Sequence, residues 1–211
     1  MADESVVRLP SHGLVDSALY VSELALHGWQ AAAAENEQLR TQKRRADERI
    51  SELLQDPLTG LLNRHGLEAA FRDIRASYIL LLMVDISGLK RINDQHGHAR
   101  GNDSLRMTGK AIRQAIRRSD VAGRWGGDEM IIALPETSEE VALTVAERVR
   151  QKLAEDPDQE SRPTSVHIGI GATIPGPLDD AAIFEADNAV REAKRRGPDQ
   201  IVVYGQDVIL P

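Results

Sequence analysis

The sequence predicts an α/β fold: a central sheet of about five strands with helices on both faces, preceded by one long N-terminal helix. Three patterns predict it. Val141, Val145, Val149 and Leu153 recur every four residues, the apolar stripe of an amphipathic helix. Val166, Ile168, Ile170, Ala172 and Ile174 alternate strictly, as a half-buried strand does. Residues 14–55, rich in Ala, Glu, Gln and Arg, follow a heptad instead.

In chain order, residues 1–13 carry no periodicity and are expected to be disordered. Residues 14–55 form one helix, with Val15, Ser22, Trp29, Asn36, Lys43 and Ile50 on one row and Ala18, Ala25, Ala32, Leu39, Ala46 and Leu53 on its companion. Two readings stand: a surface helix packing on its own domain, or a coiled coil joining two chains. The last heptads run straight into Asp56-Pro57, which favours the homodimer; Asn36 and Lys43 would then set register at a cost in stability. The segment is too short for a ligand-binding sensor domain.

From residue 56 to 211 helix and strand patterns alternate. A helix follows Asn63, with Leu67, Phe71 and Ile74 on one face. Tyr78–Val84 is an unbroken apolar run ending in Asp85, which reads as a buried strand. That end of the strand places the acid at the lip of the sheet, where α/β folds hold ligands. Ile86–Asp94 turns into a helix start whose free N–H groups suit phosphates, although a plain structural cap reads the same way. A helix near 101–118 uses Leu105, Ile112 and Ile116; strands near 121–125 and 130–134 flank a turn. After the 141–153 helix and the 166–174 strand, Ile183, Ala186, Val190 and Ala193 mark a last helix, and Ile201–Tyr204 a last strand.

The turn between 121–125 and 130–134 carries the chemistry. Arg124-Trp125-Gly126-Gly127-Asp128-Glu129-Met130 reads as a tight β-hairpin in which Gly126 and Gly127 supply positive φ angles. Asp128 and Glu129 at its tip repel each other unless a cation neutralises them. Mg²⁺, which takes one or two carboxylates plus substrate phosphates, is the natural cation. By itself the hairpin is equally consistent with a solvated acidic turn; together with Asp85 it makes a metal pair for nucleotidyl transfer.

Composition narrows the classes. The chain has 211 residues, enough for one domain of about 150 with a proper core plus one further element. With no cysteine it has no disulfide framework and no thiolate zinc site. Its six histidines form no metal triad: His96 and His98 flank Gly97, and His167 is expected to face away from the alternating core. No apolar run approaches the roughly 18–20 residues of a spanning helix, so no membrane insertion and a cytoplasmic protein are expected. A net charge of −7 argues against nucleic acid as a partner.

Several motifs in order resemble the GGDEF-domain diguanylate cyclase family. Asp56-Pro57-Leu58-Thr59-Gly60-Leu61-Leu62-Asn63-Arg64 is similar to its DxLTGLxNR opening. The Asp85 strand, Ile92-Asn93-Asp94, Gly97-His98, Gly101 with Leu105, the Gly-Gly-Asp-Glu signature, Ser165–Ile170 and Ala186-Asp187…Ala193-Lys194 follow. The resemblance covers about residues 56–204 and implies the palm-like sheet of nucleotide cyclases and polymerases.

It also implies a reaction: two GTP condense to cyclic di-GMP and two pyrophosphates, across two domains that face each other. Asp85, the Ile86 carbonyl, Asp128 and Glu129 fall to Mg²⁺ or Mn²⁺, with Asp128 or Glu129 assisting deprotonation. Gly126 and Gly127 admit the nucleotide, Asn93 matches a guanine contact, and Lys194 matches a lysine on the terminal phosphates. Lys90 is a second phosphate candidate or a plain surface lysine. Arg117 and Asp120 match the family's inhibitory RxxD site for cyclic di-GMP, or simply close a helix C-terminus.

Three departures bear on function. Asn102 replaces the acid that grips two guanine donors, and an amide offers one acceptor and one unwanted NH₂. Pro198 stands where the family has a phosphate-binding arginine, for which Arg195 or Arg196 would have to substitute. Met130 replaces an apolar Phe, a mild change. Beside an active, product-inhibited cyclase stand two alternatives: relaxed base selectivity, or a weak domain that binds cyclic di-GMP as an effector.

Overall fold

The computed structural model describes residues 11–159 and 162–205, with the side chains of 11–28 and of Ala31 left out. Two units can be separated, residues 1–51 and 52–211. The described residues of the first are helical and make up all but the last turn of α1 (Ser11–Leu54). The helix starts at Ser11 rather than at 14; residues 1–10, expected to be disordered, lie outside the described residues. Trp29, Leu39, Ile50 and Leu53, from both heptad rows, are each more than half exposed.

The second unit continues with α2 (Arg64–Asp73), β1 (Ile79–Ile86), α3 (Leu89–Ala115), β2 (Val121–Arg124) and β3 (Glu129–Pro135). Then come α4 (Glu139–Ala154), β4 (Val166–Thr173), α5 (Asp180–Arg196) and β5 (Ile201–Val203). The five strands form one sheet ordered β2-β3-β1-β4-β5. β1 lies antiparallel to both β3 and β4, while β4 and β5 are parallel. A strand at the centre with helices on both faces has no wet side, which is why 79–84 reads as an unbroken apolar run.

Odd and even positions of β1 go to different cores. Leu82, Val84 and Ile86 join Met130, Ile132, Ile168 and Ile170 beneath α3 and α4. Ile79, Leu81 and Met83 join Ile131, Ala133, Leu67, Phe71 and Val190 beneath α2 and α5. Each fully buried side chain of this size contributes about 1.5–3 kcal/mol. Because side chains alternate, Asp85 and its cross-strand partners Glu129 and His167 belong to the α2/α5 face.

Asn63 caps α2: its Oδ1 accepts from the Gly66 N–H at 2.9 Å, while its amide donates to the carbonyls of Leu53 (2.7 Å) and Gln55 (3.2 Å).

Four expectations are corrected. The helix start after Gly88 and the helix near 101–118 are parts of α3, broken at Gly97 (φ 80°, ψ 163°) and ending at Ala115, with Ile116 extended beyond it. From Val166 to Gly171, β4 is buried on both faces rather than half-buried, while Ala172 is exposed and Ile174, exposed too, lies beyond the strand. Its second face carries Gly169 and Gly171, where a methyl would lie 2.3 Å from the Ala186 carbonyl oxygen and 2.4 Å from the Ala186 nitrogen, so α5 presses directly on the strand. His167 therefore does not face away from the core; it is buried under the same helix. Finally, neither Gly126 nor Gly127 has a positive φ. The turn spans residues 125–128 and is closed by the N–H groups of Trp125 (2.9 Å) and Gly126 (3.3 Å), both donating to the Glu129 carbonyl. That wider turn needs no left-handed residue. Among the described residues no helix is long and apolar enough to cross a membrane.

Candidate active site

β1 and β3 bring the acids together. Asp85 and Glu129 are direct partners in the ladder, so their side chains leave the same face of the sheet. The Ile86 N–H donates to the Asp128 carbonyl at 3.2 Å, which pins the hairpin turn to the end of β1. Asp85 is buried, and burial, reinforced by the negative charge of Asp128, lifts its carboxyl above the ordinary aspartate value despite the opposing pull of Lys194. Glu129 is lifted in the same direction by burial, then by the charges of Asp85 and Asp128.

One cation already answers this charge. Lys194, on α5, donates from Nζ to Asp85 Oδ2 at 2.7 Å across 109 positions of sequence. His167 lies on the other side of Asp85, with Nδ1 4.0 Å from Oδ1. Its Nε2 donates to the Gly197 carbonyl at 3.1 Å, which leaves Nδ1 to accept from the Ser87 hydroxyl, also at 3.1 Å. The ring thereby joins the turn after β1 to the loop after α5.

The hairpin turn has its own anchor in Arg124. Its guanidinium donates to the carbonyls of Gly126 (3.1 Å) and Gly127 (2.7 Å) and to Asp56 Oδ2 (3.1 Å). Asp56 also accepts from the Thr59 N–H and hydroxyl, both at 2.8 Å; these bonds and Arg124 outweigh burial and hold its carboxyl below the ordinary value. Trp125 is covered by Arg64, whose Cζ sits 4.1 Å from the ring centroid. A methyl on Gly126 would come 3.2 Å from Glu129 Oε2, whereas the space at Gly127 is open.

A family model described as "Diguanylate cyclase, GGDEF domain" matches residues 53–200. The chain belongs to the GGDEF-domain family. It is 38% identical over 159 residues to diguanylate cyclase DgcP of Pseudomonas aeruginosa, covering 71% of this chain and 24% of DgcP. It is 36% identical over 162 residues to a diguanylate cyclase of Vibrio cholerae, covering 72% of this chain and 50% of that protein. The chain thus spans half or less of these curated relatives. Its fold is similar to that of diguanylate cyclase SiaD from Pseudomonas aeruginosa, solved with its activator SiaC: the TM-score is 0.72 at 28% identity, over 91% of this chain and 77% of that one.

Within this GGDEF domain the remaining expected residues are placed as follows. Asn93 Oδ1 is buried with no hydrogen-bond partner among the described residues. It packs against Gly101, where a methyl would sit 1.9 Å from that oxygen; any side chain there would evict it. Asn102 is half-buried beside Gly101. Lys90 is exposed, with no ion pair among the described residues. Arg117 and Asp120 share a turn beyond α3: the Arg117 N–H donates to Asp120 Oδ2 at 2.8 Å, and the Arg117 guanidinium is exposed. Arg195 and Arg196, the expected substitutes for an arginine at 198, both pair with Glu192. Met130 is fully buried, as a replacement for Phe requires.

Among the described residues no three His, Cys, Asp or Glu side chains form a ready-made metal cage. The donor set still fits Mg²⁺, which bonds oxygen, keeps several waters and uses few protein carboxylates. Sequence reasoning missed Asp56, Arg124, Ser87 and His167. The Arg directly before the hairpin was the available signal for the first pair; nothing in the local pattern marks the second.

Proposed function

We propose that this GGDEF domain is a diguanylate cyclase that condenses two GTP into cyclic di-GMP and releases two pyrophosphates. The carrying observation is the ladder pair of buried Asp85 and half-buried Glu129 with half-buried Asp128 beside it: like charges gathered at one sheet end, which a divalent cation would neutralise.

Asp85, the Ile86 carbonyl, Asp128 and Glu129 would hold Mg²⁺ or Mn²⁺. The bound ion would neutralise the triphosphate and acidify the attacking 3′-hydroxyl. Lys194, released from Asp85, takes the terminal phosphates, and Lys90 reaches them from the first turn of α3. Gly126 and Gly127 let the backbone lie against the nucleotide. The unpaired Asn93 Oδ1 accepts from guanine, and Asn102 faces the same base; Asp128 or Glu129 takes the 3′-hydroxyl proton. Each hydroxyl attacks the α-phosphate held by a second copy, so α1, with its exposed heptad residues, is the homodimer helix. Arg117 and Asp120 bind cyclic di-GMP and slow the enzyme.

Purified protein incubated with Mg²⁺ or Mn²⁺ and GTP, ATP or both, with products separated by chromatography, tests this. Cyclic di-GMP is expected from GTP, and none from Asp128→Ala or Glu129→Ala with circular dichroism unchanged. Undiminished product from both variants would refute the site. The absent carboxylate at 102 and absent arginine at 198 support a second reading, a weak domain that binds cyclic di-GMP as an effector; binding of cyclic di-GMP with no turnover of GTP would establish it.

A further inference from the structure

The first turns of α3 and the segment leading into β4 line an open cleft of about 730 Å³, to which the loop after α5 adds Pro198. Ser87, Arg91, His96, Arg100, Arg162 and Pro198 are among its lining residues. The described lining contains no carboxylate, in a chain of net charge −7. The cleft is therefore a local cationic surface on an acidic protein, and it adjoins the turn after Asp85.

The three arginines differ in what already holds them. Arg100 is bonded to Ser104 Oγ and to the Pro163 carbonyl (2.9 Å). Arg162 is paired with Asp103 at 2.6 Å. Arg91 has no hydrogen-bonded partner among the described residues. Its guanidinium folds back over Gly88: a methyl on that glycine would lie 3.4 Å from Nη2 and 3.7 Å from Cζ and Nε. Gly88 is left-handed (φ 65°, ψ 31°) and caps α3 without a side-chain bond, so glycine there serves the turn. A planar guanidinium over open helix N–H groups matches phosphate oxygens in both charge and geometry.

We propose that Arg91 binds the polyphosphate end of the nucleotide from α3, replacing the arginine whose place Pro198 takes in the lining of the same cleft. This rests on the nucleotide-binding reading above. Arg91 would act on the β- and γ-phosphates and not on the base.

Calorimetry on the full chain with Mg²⁺ tests it with two probes, GMP and a GTP analogue carrying a methylene bridge between the α and β phosphorus atoms. Arg91→Ala is expected to weaken the analogue about tenfold and GMP less than about twofold. Arg91→Lys should recover part of the loss, and Arg91→Ala combined with Pro198→Arg most of it. Equal weakening of both probes, or of neither, would overturn the inference while leaving the nucleotide site standing. Failure of the parent protein to bind either probe would instead remove the nucleotide reading, and this inference with it.

Discussion

Asp85 and Glu129 face each other across the β1–β3 ladder, two acids on one face of a sheet; burial lifts both carboxyls, helped by the charge of Asp128 at Asp85 and by those of Asp85 and Asp128 at Glu129. Like charges placed directly opposite destabilise a sheet by roughly 0.2–1 kcal/mol. Glu129→Gln should therefore raise the melting temperature in chelator by about 1–4 °C while ending synthesis. Differential scanning calorimetry with and without EDTA checks the first half and product chromatography the second. A melting temperature that falls would show the pair to be structural.

Asp56 holds the hairpin from a distance through Arg124. Asp56→Asn removes a charge-assisted bond and should cost about 1–2 kcal/mol at neutral pH. Because the folded carboxyl lies below its ordinary value, its contribution is present above the unfolded aspartate range and disappears as pH falls through the lower folded value. Urea melts of parent and variant should differ at pH 7 and converge below about pH 4.

The exposed heptad residues predict self-association. Leu39→Lys with Ile50→Lys should weaken the dimer by at least about tenfold and lower specific activity in proportion, since each apolar side chain covered by a partner contributes about 1.5–3 kcal/mol. Analytical ultracentrifugation across a dilution series measures it. An unchanged sedimentation coefficient would end the coiled-coil reading.

The proposed function puts Asn102 beside the guanine base. Restoring a carboxylate with Asn102→Asp should raise the ratio of kcat/KM for GTP over ATP by about tenfold, because both guanine donors then find acceptors. Competition assays with mixed nucleotides report the ratio directly; no change would place Asn102 away from the base.

Arg117, the proposed guanine contact of the inhibitory site, is exposed and makes no ion pair among the described residues. Arg117→Ala should raise the concentration of cyclic di-GMP needed for half-inhibition by about tenfold or more, with the uninhibited rate preserved. Initial-rate assays with added product decide it.

Much of this was legible before any coordinates. The unbroken run 79–84 ending in Asp85 could hardly be anything but a central strand, and the repeat from Val141 to Leu153 anything but a helix. β4 was half legible. The alternation Val166, Ile168, Ile170 was plain, but Gly169 and Gly171 carry no hydropathy, so the pressure of α5 on that face left no trace and His167 was misplaced. The glycine pair of the signature suggested a left-handed turn, whereas closure on the Glu129 carbonyl made a wider one with ordinary φ angles.

The sequence by itself determined the order of elements, the family and the identity of the acids, because these follow from local periodicity and from motifs a few residues long. The tertiary structure alone decided what surrounds those acids: Lys194 on Asp85, His167 between Ser87 and Gly197, Asp56 on Arg124, Arg91 over Gly88 in a cleft that Pro198 also lines. Most of these contacts join residues 68 to 109 positions apart. Charge and hydrogen bonding act over a few ångströms of space, and chain separation on that scale leaves no mark in the pattern of the neighbours.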